Sequence, residues 1–166
     1  MPDKHRADCP LGPNGLNSLT PEKNNAMNPS MKNHSRHVGR SIAAVFLGFL
    51  SVVALSLGTD QVLHMLNVYP PWDQPMHEPG LNLLALAYRC IYTVIGGYVT
   101  AWLAPHAPMR HVLILAVIGL LMGTLGVIGT WNLNLGPHWY PIAIAVTGAP
   151  LTWLGGVLHN RRRAAQ

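Results

Sequence analysis

Four long apolar runs constrain the fold of this chain more than any other feature of its sequence. They cover about residues 41–66, 81–104, 111–131 and 140–158. A helix needs about 20 mainly apolar residues to cross the hydrocarbon core of a bilayer, and each run has about that length. The segments between the runs contain the helix-stopping sequences YPPWDQP, APHAPMR and NLNLGPHWYP. The sequence therefore predicts an all-α, polytopic membrane protein, with a four-transmembrane-helix bundle in residues 41–160.

The two ends of the chain are polar. Residues 1–40 contain six Lys or Arg and five Pro and lack apolar periodicity, which predicts a disordered cytoplasmic tail. Residues 161–166 are expected to form a short basic tail. Two alternatives stay open at the start of the chain. Translation could begin at Met27 or Met31, or MKNHSRHVGR and the first apolar run could be a signal peptide.

The positive charges predict the orientation of the bundle. Cytoplasmic loops carry an excess of Lys and Arg. In this chain the basic residues lie before the first apolar run, between the second and third runs and after the fourth, whereas loops 67–80 and 132–139 contain no Lys or Arg. We therefore expect both termini in the cytoplasm. The residues that set this orientation are Lys32, Arg36, Arg40, Arg110, Arg161, Arg162 and Arg163.

Composition argues against several functional classes. The net charge of +5 comes from residues that flank apolar runs, so nucleic acid is not an expected partner. Cys9 and Cys90 form no CxxC pair, and the nine histidines show no complete ligand spacing. We expect no metal, no cofactor and no catalytic residues. The expected partners are the lipid bilayer and either a second copy or another membrane protein.

Charged residues inside the apolar runs are the candidate site. Asp60 and Arg89 lie at similar expected depths on helices joined by a short link, so an ion pair is geometrically possible. His64, Tyr88 and Tyr92 complete this candidate polar cluster. Three interpretations stay open: side chains that reach out to water, a structural pair inside the bundle, or the lining of an outward-facing polar pocket.

Small residues recur at helical spacing and predict close contacts between helices. Lipid provides no hydrophobic driving force between helices, so transmembrane helices pack where small residues allow their backbones to approach closely. The glycines expected at helix contacts are Gly48, Gly96, Gly97, Gly119, Gly123, Gly126, Gly148 and Gly155.

A set of short motifs adds a resemblance. TDQVLH, YPPW, AYRCIY, GGYVTAWLAPHAPMRH, WYP and WLGGVL occur in this order over about residues 41–158. In order and spacing they resemble uncharacterised small bacterial integral membrane proteins with four transmembrane helices. The resemblance implies a membrane location and the fold, and it implies no activity.

Three functions follow as hypotheses. The first is a non-enzymatic subunit or accessory factor that acts through helix packing. The alternative is a small oligomeric transporter or permease with a polar path at Asp60 and Arg89. A second alternative is a membrane enzyme that uses Asp and His residues of the outer face.

Overall fold

The computed structural model describes residues 29–166, with side chains from residue 39 onward. Four helices make up this part of the chain, and it contains no strand. All four are long and apolar enough to cross a membrane, so the predicted all-α, four-helix membrane bundle is confirmed. The helices are α1 (Pro29–Met65), α2 (Pro79–Leu103), α3 (Pro108–Thr130) and α4 (Trp139–Ala164).

Two helices are longer than the sequence predicted. α1 begins at Pro29, inside the segment of residues 1–40 that the sequence predicted as a polar tail; residues 1–28 lie outside the described part. Once an apolar span is helical, each added residue gains a backbone hydrogen bond, and no proline interrupts residues 31–40. α4 likewise continues to Ala164 through the residues expected to form a basic tail. Positive charge in the last turn of a helix is favourable there.

In the bundle, successive neighbours are α1, α2, α4 and α3, and α3 also contacts both α1 and α2. α2 packs most extensively on α4, α4 also packs on α3, and α2 also packs on α1; within the described residues α1 and α4 do not meet. We call the end with the two long loops, 66–78 and 131–138, the loop end. The opposite end, with Arg110 and the three arginines that close α4, is the basic end. α2 and α4 both run from the loop end to the basic end.

Glycines allow α1 and α2 to touch at their backbones. A Cβ added at Gly48 would lie 2.9 Å from the Gly96 carbonyl oxygen, and one added at Gly96 would lie 2.9 Å from the Gly48 carbonyl oxygen. The Thr100 side chain fills the space beside Gly48 and is fully buried. Both glycines therefore lie at a helix contact, as the sequence predicted.

The α2–α4 contact is equally close. A Cβ at Gly97 would overlap the carbonyl group of Thr152. A Cβ at Gly155 would overlap the Val94 carbonyl oxygen and lie 2.8 Å from the Tyr98 amide nitrogen. Because the obstructing atoms belong to backbone, neither position can accept a side chain without separating the two helices.

The glycines of α3 behave differently. A Cβ at Gly123 would lie 3.1 Å from Ala145 Cα on α4, but Gly119, Gly126 and Gly148 have open space where a Cβ would stand. Within one copy of the chain these three glycines therefore make no close helix contact, and their packing role stays a prediction. Helices that cross at an angle approach closely over only a turn or so. Sequence reasoning missed Gly156, where a Cβ would lie 2.8 Å from the Val112 side chain on α3.

Candidate functional site

Asp60 and Arg89 form an ion pair between α1 and α2. The Arg89 guanidinium donates from Nη2 to Asp60 Oδ2 over 2.6 Å. The Tyr88 hydroxyl donates to the other carboxylate oxygen, Oδ1. Asp60 is only 6% exposed, so it does not reach out to water. Arg89 lies ten residues into α2, about 15 Å along its axis, which places the pair at membrane depth.

Tyrosines extend this polar cluster toward the loop end. The Tyr69 hydroxyl lies 3.4 Å from the Tyr88 hydroxyl and donates toward it, and Tyr69 is buried. That burial raises the pKa of the Tyr69 phenol. Tyr92, a predicted member, shares a 2.8 Å hydrogen bond with Thr59 on α1. Two of the predicted tyrosines thus tie α2 to α1 on the same side as the ion pair.

His64 lies outside this hydrogen-bonded network. Its ring stacks on Trp72 at 3.9 Å between centroids and meets Tyr69 edge-on at 5.5 Å. Its Nδ1 is buried and has no hydrogen-bond partner among the described residues. The structure therefore assigns His64 to an aromatic group with the 66–78 loop, one turn from Asp60 along α1 but without a polar contact to it.

A cavity of about 350 Å³ lies at the loop end beside the ion pair. Its walls come from α3, α4 and the 131–138 loop, with Arg89 and Asn82 contributed by α2 and Met76 by the 66–78 loop. Most of the lining surface is apolar, from residues such as Val127 and Ile144. Among the described residues that line it, Arg89 is the only Lys, Arg, Asp or Glu. The cavity is therefore mostly apolar, with the Arg89 guanidinium, the His138 ring and a few uncharged polar side chains in its wall.

The guanidinium of Arg89 has two distinct sides. On one side it binds Asp60, whereas on the other its Cζ lies 6.0 Å from the centre of the Tyr140 ring. About 31% of the Arg89 side chain is exposed, whereas its Nε is buried and has no hydrogen-bond partner within the described chain. A guanidinium has five N–H donors, so Arg89 retains donor capacity beyond its bond to Asp60.

Hydrogen bonds between the two long loops close the loop end. The Met76 amide donates to the Leu135 carbonyl oxygen over 2.8 Å. Asn82 donates from Nδ2 to the carbonyl oxygens of Met76 at 3.0 Å and Glu78 at 2.9 Å. A Cβ at Gly136 would lie 2.7 Å from the Met76 carbonyl oxygen, so this glycine permits the contact. Buried Asn82 therefore fixes the end of the 66–78 loop, from which Met76 lines the cavity.

Sequence reasoning missed this cavity and the parts that Asn82, Tyr69 and Tyr140 play around it. A tyrosine that directly follows a tryptophan at the expected membrane boundary indicates an interfacial residue, not a cavity wall. No three His, Cys, Asp or Glu side chains gather into a metal-binding group within the part of the chain that the structure describes. Comparisons with protein-family models, curated proteins and solved structures find no match.

Proposed function

We propose that this protein is a non-enzymatic accessory protein of a bacterial inner membrane that binds a small lipophilic molecule in the cavity beside Arg89. The observation that carries the proposal is the cavity itself. Its volume of about 350 Å³ falls within the ~300–1,000 Å³ typical of small-molecule sites. It also has the usual character of such sites, an apolar lining with a few placed polar groups.

Packing in the other half of the bundle favours binding over transport. Toward the basic end, α1 meets α2 at Gly48 and Gly96, and α2 meets α4 at Gly97 and Gly155. Backbone-to-backbone contacts of this kind leave no room for a polar path between these helices. A transporter would therefore need a path along α3 or between copies of the chain, whereas the cavity exists within one copy.

Quenching of Trp131, which lines the cavity, tests the proposal. The test protein keeps Trp131 and carries Phe at the other four tryptophans, in nanodiscs of phosphatidylcholine. The probe is a bromoalkanol, whose bromine quenches tryptophan on close approach. We expect saturable quenching, because a cavity holds a limited number of molecules. The substituted tryptophans are Trp72, Trp102, Trp139 and Trp153.

Two matched substitutions on α3 separate the cavity from the surrounding lipid. Val127→Phe adds bulk inside the cavity, whereas Val117→Phe adds the same bulk at a position that is 55% exposed and outside it. We expect Val127→Phe to abolish the saturable quenching and Val117→Phe to preserve it. Quenching that rises linearly with probe concentration and is unchanged by Val127→Phe would show that the bromine reaches Trp131 from the bilayer. That result would reject the binding site.

The proposed orientation has its own test. The Lys and Arg distribution and the resemblance to small bacterial four-helix membrane proteins support an inner membrane location with both termini in the cytoplasm. Alkaline phosphatase fused at Gln74 is expected to be active, because that loop would be outside. The same enzyme fused at Gln166 is expected to be inactive, and green fluorescent protein at Gln166 is expected to fluoresce. The reverse pattern of reporter activities would show that the bundle has the opposite orientation in the membrane.

A further inference from the structure

The charge arrangement around the cavity indicates what kind of molecule would bind there. Arg89 lines the cavity, whereas its counter-ion Asp60 does not and is nearly inaccessible at 6% exposure. Asp60 is also occupied by two donors, the Tyr88 hydroxyl and the Arg89 guanidinium. A molecule in the cavity therefore meets the positive partner first, with the negative partner behind it.

Low polarity in the surroundings strengthens this asymmetry. Charges interact more strongly where water is scarce, and hydrogen bonds to an ionised group are stronger than neutral ones. The exposed part of the Arg89 side chain lines the cavity, and the guanidinium carries more N–H donors than the bond to Asp60 uses. Apolar walls that include Val127 and Ile144 would hold a hydrocarbon tail.

The size of the cavity limits the ligand further. At about 350 Å³ it is near the lower end of small-molecule sites, which is too small for a phospholipid with two acyl chains. We infer that the cavity binds a single-chain amphiphilic anion, with its carboxylate, phosphate or sulfonate group on Arg89 and its tail among the apolar walls. This inference rests on the proposed binding function and adds the chemical class of the ligand.

A comparison of two probes with one tail tests the inference. The bromoalkanol is compared with a bromoalkyl sulfonate of equal chain length, by quenching of the protein that retains only Trp131. The sulfonate stays ionised at all working pH values, so the two probes differ in charge at the head group. We expect the sulfonate to bind about tenfold more tightly, the contribution of one charge-assisted hydrogen bond. Equal affinities would overturn the anion preference and leave the binding function standing, whereas loss of saturable binding for both probes would reject both.

Opposite effects of two charge substitutions exclude a purely structural explanation. Asp60→Asn removes the competing carboxylate, so sulfonate affinity is expected to rise about tenfold. Arg89→Gln removes the donor and leaves Asp60 unpaired, so the sulfonate should bind more weakly than the alcohol. Damage to the fold would instead weaken both probes in both variants.

The double variant Asp60→Asn/Arg89→Gln keeps the inference testable if a single variant is too unstable to assay. It restores electroneutrality and leaves no Lys, Arg, Asp or Glu in the cavity wall. We expect it to bind the two probes with equal affinity. A sulfonate preference that persists in this variant would place the anion elsewhere and overturn the role of Arg89.

Discussion

Replacing Asp60 by Asn, or Arg89 by Gln, is expected to lower the free energy of unfolding by about 3 kcal/mol. Each substitution leaves an uncompensated charge at membrane depth, and breaking a buried pair typically costs ~3–5 kcal/mol. We expect the lower end of this range because, although Asp60 is almost fully buried, the Arg89 side chain is 31% exposed. Thermal unfolding in a mild detergent, followed by circular dichroism, measures the loss.

The double variant distinguishes a mutual interaction from two separate ones. If Asp60 and Arg89 stabilise one another, Asp60→Asn/Arg89→Gln should lose clearly less stability than the two single losses added together. Losses near zero in both single variants would mean that the pair is solvated and contributes as little as a surface ion pair, about 0–1 kcal/mol. Large losses that add fully would mean that each residue depends on another partner, with Tyr88 the first candidate for Asp60.

Gly155→Ala is expected to destabilise the bundle by about 2 kcal/mol or more. The added methyl group would overlap the Val94 carbonyl oxygen and force α2 and α4 apart, and overpacking typically costs ~1–3 kcal/mol. Gly148→Ala is the matched control, because it lies on the same helix where a Cβ meets open space. There alanine should stabilise the helix by about 0.5–1 kcal/mol through its higher helix propensity.

Unfolding of both alanine variants by titration with a denaturing detergent provides the comparison. The expected result is opposite signs at the two positions. Equal effects at Gly155 and Gly148 would contradict the close α2–α4 contact, because helix propensity alone would then explain both.

The sequence predicted the fold well because the thickness of the bilayer sets the length of an apolar helix that can span it. Every backbone polar group must be satisfied within a helix, so four apolar runs of about 20 residues left little choice of architecture. The outer ends of α1 and α4 were predicted less well. Apolar runs mark where lipid begins, whereas α1 and α4 continue into polar residues that backbone hydrogen bonding still favours.

The candidate site was predicted in part. The Asp60–Arg89 pair could be inferred because a short link places neighbouring helices antiparallel and sets their relative depth. His64 shares the α1 face of Asp60 by periodicity, yet it stacks on Trp72 because the 66–78 loop folds back over it. The cavity depends on hydrogen bonds between two loops, such as Met76 to Leu135, and loop contacts have no sequence period.

The order of the helices along the chain has a consequence for biosynthesis. α2 packs mainly on α4, but ribosomes make proteins from the amino end, so α2 enters the bilayer before α4 exists. During that interval Arg89 lacks the cover that α4 later provides. Its counter-ion Asp60 lies on α1, which is already inserted, so the guanidinium is neutralised within the first helical hairpin. A circularly permuted chain that began at α2 would insert Arg89 without that partner.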